Sequence, residues 1–240
     1  MRTEFSKSHN TFGWNLPIHK KITRLALKEV PVLEPYKKSL VIGSTGREPF
    51  FRFWDFFDKR HCYYGTSKFG IGNTEQNALD VYRNRLLDSV IDWEFGNEHL
   101  AMREIGEALH VLQDISDPLH TNLISKNIFK TDAHKIYDRL SRKSGILSQV
   151  TEIQKNSVTD NFYDLFGKVY EKSSKSPNPL DKQNLDKMPE LVKEYLLDAY
   201  SATVAFLKRL GNFHIMSDAH KSEAISNEFS TSAFIQKIKQ

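Results

Sequence analysis

The chain has 240 residues, 39% hydrophobic and 27% charged, which is enough to bury a core as one domain and too evenly mixed for wholesale disorder. Its formal charge of +4, from 34 basic and 30 acidic side chains spread along the sequence, permits an anionic substrate without demanding one. A lone Cys62 excludes an internal disulfide and leaves the compartment open.

In chain order, MRTEFSKSHNTFGWNLP has no apolar core of signal-peptide length, and no later stretch approaches the roughly 18 apolar residues of a membrane span. A soluble chain is expected, secreted if a leader has been removed and cytoplasmic otherwise. Ile18, Ile22, Leu25 and Leu27 share one side of a helix over 18–30 that stops at Pro31. From Ser39 to Asn73 five glycines and a proline sit among many aromatics with no sustained rhythm, which reads as a long, structured and functional loop. A helix is predicted over 74–95, with Thr74 as N-cap and Ala78, Val81, Leu86, Val90 and Trp93 for its inner face. Another follows over 98–114, its stripe marked by Ala101, Ile105, Ala108, Leu109 and Leu112, with Pro118 ending the run.

Thr131 and Asp132 can cap a helix through Leu140, with shorter helical patterns over 145–155 and 158–171. The polar, Pro-punctuated stretch 171–189 reads as an exposed connection. Leu191, Tyr195, Leu196, Ala199, Val204, Phe206 and Leu207 mark a closing helix over 191–210. With no convincing strand, the expectation is an all-α fold, a single compact multi-helix domain with one long loop insertion.

His110 and Asp114 stand four apart and therefore stack on one helical face, and Gly106 one turn earlier leaves that face free of bulk. After Pro118 comes His120, and His134 with Asp138 repeats the spacing on a second predicted helix. A single helical histidine is most often an ordinary core or surface residue, and a lone HxxxD is most often an ion pair. The joint array H-x3-D-x5-H-x13-H-x3-D is harder to dismiss. Nitrogen and carboxylate ligands without thiolate suit Zn²⁺, and separated ligand pairs suit more than one ion.

This array resembles that of the bacterial zinc-dependent phospholipase C family, and is similar to the fungal single-strand-specific zinc nucleases of the same fold. Upstream, Trp14-x4-His19 followed by KKIT resembles the family's N-terminal start, with the nuclease branch's spacing. His61 in HCYYG resembles its loop histidine, and GSTGREP resembles the loop that carries a metal-binding carboxylate, here Glu48, with Asp55 and Asp58 as competing candidates. The resemblance runs from Trp14 to about Leu210 and implies a catalytic domain over 14–240 after an extension, 1–13, that is removed to free the Trp14 amine.

It further implies up to three zinc ions. Glu48, His61, His110 and Asp114 would hold one, His120, His134 and Asp138 a second, and Trp14, His19 and Asp114 the third, so that Asp114 bridges two. The implied activity is phosphodiester hydrolysis by a metal-activated water, with Asp114 and Glu48 in catalytic positions and Glu48 orienting or deprotonating that water. The chain departs from the pattern in its Glu48 and in Leu123, which stands where the phospholipase branch has Asn.

The 14-residue step from His120 to His134 is as short as in the phospholipase branch, so a phospholipid substrate, transient contact with a membrane surface and a monomer are expected. The nuclease is the alternative. Phe50, Phe51, Phe53, Trp54, Phe56 and Phe57 can meet a lipid head group, stack on bases or fill the core. A catalytically degenerate, metal-stabilised module is the third reading.

Overall fold

The structure, a computed structural model, describes residues 16–45, 78–121, 136, 139–141 and 161–215. It is all-α, with no strand among the described residues. The helices are α1 (Leu16–Leu27), α2 (Lys37–Ser44), α3 (Ala78–Glu94), α4 (Glu98–Asp114), α5 (Pro118–Thr121), α6 (Phe162–Ser174) and α7 (Met188–Ile215), with 3-10 turns at Pro31–Tyr36 and Lys182–Lys187. None of the described helices is long and apolar enough to cross a membrane.

Helix α4 is the axis of the molecule. It is flanked by α2 and α3 and also touches α7, which in turn carries α1 and α6. Its expected stripe is buried throughout, and Gln113 and Asp114 are buried with it. Helices α3 and α4 form a hairpin whose turn is closed by Gly96 at φ 76°, with Asn97 N–H donating to the Asp92 carbonyl and Gly96 N–H to Trp93. A side chain there would be strained, so glycine ends α3 at low cost. Across the pair, Arg85 donates to Glu104 at 2.8 Å and meets Glu107 at 3.0 Å. That neutralises a glutamate which the packing has buried. Tyr82, Phe162, Phe166 and Phe206 join α3, α6 and α7 in one aromatic cluster.

The sequence expectations need correction at several points. Residues 39–44 belong to helix α2 and are not loop. Gly43, read as a breaker, is instead a packing residue: a Cβ on it would lie 2.7 Å from the Gly106 Cα and 2.1 Å from the Arg103 carbonyl oxygen. Gly106 accordingly makes room for helix α2 rather than for a ligand. Pro118 opens α5 instead of closing α4, which already ends at Asp114. Asp117 caps the new turn by accepting from the Leu119 N–H at 2.9 Å, and proline is suited to the first helical position because it has no N–H to satisfy.

Further corrections concern the ends of elements. The connection predicted from residue 171 begins only after α6 ends at Ser174, and α6 starts at Phe162 with the Asn161 side chain accepting from the Asp164 N–H. Helix α7 runs beyond the predicted 191–210 at both ends. Helix α1 stops at Leu27, and the chain turns through Val30 before Pro31. Residues 136 and 139–141 are helical, in keeping with the helix predicted through Leu140. Thr74, the aromatic run 50–57 and the pattern over 145–155 lie outside the described residues.

Candidate metal centre

Three helices bring four of the predicted ligands together. Helix α1 supplies His19, α4 supplies His110 and Asp114 one turn apart, and the Asp117-capped turn α5 swings His120 back over the end of α4. Asp114 is the hub. Its Oδ1 lies 3.2 Å from His19 Nε2 and 3.8 Å from His120 Nε2, and its Oδ2 lies 3.3 Å from His110 Nε2. The His19 and His110 rings lie 4.3 Å apart at 43°. Ligand atoms of His19, His110 and Asp114 all fall within 4.8 Å of one another. His19, Asp114 and His120 are buried, whereas His110 keeps 14% of its side chain exposed and so marks the side open to solvent.

The far sides of the His19 and His110 rings are already committed. His110 Nδ1 lies 3.0 Å from the Ser44 carbonyl oxygen, which can only accept, so the proton belongs on Nδ1 and Nε2 is left facing Asp114. That bond exists because Gly43 and Gly106 let α2 approach α4 so closely. His19 Nδ1 lies 2.8 Å from Gln113 Oε1. Sequence reasoning missed Gln113 and Ser44. The available signal was a glutamine at an inward position of the α4 stripe; the Ser44 carbonyl has none.

Two nitrogen lone pairs aimed at one carboxylate demand a positive charge between them, either a proton on each Nε2 or a metal cation. Two ligands on one tetrahedral zinc stand about 3.3–3.6 Å apart, given bonds of about 2.0–2.2 Å, and the pairs here stand close to that, at 3.2 and 3.3 Å. The donor set fits zinc. Burial pushes the Asp114 carboxyl up, but attraction to His110, His120 and His19 and the hydrogen bond from His19 outweigh it and hold the group well below its ordinary value of 3.8. It is therefore a fixed anion at neutral pH, as a metal ligand must be.

Trp14, Glu48, His61, His134 and Asp138, together with the competing Asp55 and Asp58, lie outside the described residues.

No family model and no curated protein matches the sequence. Among solved structures, the chain is similar to the alpha-toxin of Clostridium perfringens from an avian strain, with a TM-score of 0.56 and 14% identity over 86% of this chain. This chain spans 65% of the toxin's length. The likeness is one of fold.

Proposed function

We propose that the protein is a zinc-dependent phosphodiester hydrolase, acting as a phospholipase C on phospholipid head groups. The observation that carries this reading is the convergence of His19, His110 and His120 on both oxygens of one buried carboxylate, with the His19 and His110 rings held from behind. A structural zinc site would be closed by four Cys or His ligands, whereas a site that includes a carboxylate and keeps an exposed edge suits catalysis. The fold likeness to the clostridial toxin stands beside the sequence resemblance and supports the same reading.

In this reading zinc supplies Lewis acidity and a water acidic enough to deprotonate near neutral pH. Asp114 would hold zinc together with His19 and with His110. His120 would act with His134 and Asp138, Trp14 with His19, and His61 and Glu48 with His110. Glu48 would take a proton from the attacking water. The new phosphorus–oxygen bond forms as the bond to the glycerol oxygen breaks, and the proton taken up by Glu48 would pass to the departing oxygen. The substrate enters past His110, the most exposed of the four described ligands.

The test is a parallel assay of zinc-loaded protein on phosphatidylcholine vesicles, single-stranded DNA and RNA. Release of phosphocholine that stops on chelation and returns with zinc is expected. Release of 5′-nucleotides without phosphocholine would instead make the chain a nuclease, and zinc binding with no turnover on any of the three would make it a degenerate scaffold.

A further inference from the structure

Gln113 is fully buried on α4, one residue before the hub carboxylate. A buried primary amide has a donor end and an acceptor end, and its neighbours decide which way it faces. Here α7 decides. The Thr203 hydroxyl donates its only proton to the Ala199 carbonyl at 2.7 Å, so towards Gln113 it can only accept. Gln113 Nε2 meets that oxygen at 3.1 Å and the Thr23 oxygen on α1 at 3.0 Å. Both amide protons are thereby placed, and Oε1 is left facing His19 Nδ1 at 2.8 Å. An acceptor at that position requires the ring to carry its proton on Nδ1, which turns the Nε2 lone pair towards Asp114.

We infer that Gln113, oriented by Thr203 and Thr23, is the positioning residue that sets the tautomer and ring plane in which His19 ligates metal. The inference rests on the zinc-site reading above and extends it to three residues that touch neither metal nor substrate. His110 has its counterpart in the Ser44 backbone carbonyl, which a side-chain substitution does not remove, so Gln113 is the adjustable one of the two. Outer partners of ligating histidines typically govern metal affinity by 10–100-fold.

The experiment measures zinc affinity of the full chain by competition with a chromophoric chelator, for wild type, Gln113→Leu, Gln113→Glu and Thr203→Val. Long-range proton–nitrogen NMR of the metal-free proteins reads which ring nitrogen of His19 is protonated. Gln113→Leu should lose about 10–100-fold in affinity and show a mixed His19 tautomer. Gln113→Glu, which keeps an acceptor, should bind zinc at least as tightly as wild type and keep Nδ1 protonated. Thr203→Val should shift the tautomer in the direction of Gln113→Leu, and it carries the test if the leucine variant does not fold. Wild-type affinity together with an unchanged tautomer in Gln113→Leu or Thr203→Val would overturn the inference while leaving the zinc reading intact. Absence of zinc binding by the wild type would overturn both.

Discussion

Asp114 carries a fixed negative charge into a nearly dry site, and three imidazoles surround it. Asp114→Asn keeps the shape and removes the charge, so zinc content should fall and turnover should drop 100-fold or more; metal analysis beside the lipid assay checks it. In metal-free protein the same change should cost about 3 kcal/mol or more, because it leaves buried partners uncompensated. The pH dependence has a definite sign. A carboxyl held below its ordinary 3.8 contributes stability that is complete above that value and is lost only as pH falls through the depressed one. The gap in urea midpoint between metal-free wild type and Asp114→Asn should therefore persist down to about pH 4 and close only in stronger acid. His110, Asp114 and His120 were legible in the sequence because ligand types at helical spacing have few other reasons to occur together. Gln113 was not, since the type is mostly a surface residue and its role depends on a threonine 90 positions away.

At the scale of elements, the α2–α4 crossing is set by Gly43 and Gly106. A Cβ on Gly106 would sit 2.5 Å from the Leu40 carbonyl oxygen and 2.8 Å from the Gly43 Cα, and backbone cannot yield as a flexible side chain can. Gly106→Ala should destabilise by about 1–3 kcal/mol and weaken zinc binding, by moving the Ser44 carbonyl off His110. Gly167 is the control. It lies exposed on α6 with nothing near its missing Cβ, and Gly167→Ala should stabilise by about 0.5–1 kcal/mol. Thermal or denaturant melts of the two variants decide both. Sequence reading took the glycines of 39–73 as breakers because an isolated chain gives no sign that another helix will come within contact of a Cα. The strongly periodic α1, α4 and α7 were legible, since each buries one continuous stripe.

For the whole molecule, a ligand that binds the folded chain alone raises its stability, by about 2.7 kcal/mol at 100 times its dissociation constant. For a chain of this size each kcal/mol moves the melting temperature by about 2–4 °C. Chelation of zinc-saturated protein should thus lower Tm by roughly 5–11 °C, and zinc alone among added ions should restore it in a thermal melt. The all-α class was legible from the stripes and from the absence of alternating runs. The order in which the helices stack was not, because it is settled by contacts such as His19 with Gln113 and Thr203 with Gln113, which join distant parts of the chain.

The bonds of His19 to Gln113 and of Thr23 to the same side chain span 94 and 90 residues of sequence. They fasten the first described helix to the middle of the chain at a point where no covalent tie is available, since there is a single cysteine. Pulled from the start of α1, the described residues would meet polar resistance at this clasp. Whatever loosens the His19 ring also loosens α1, so early peeling of that helix, exposing the face that now lies against α7, would signal a failing site before the core gives way.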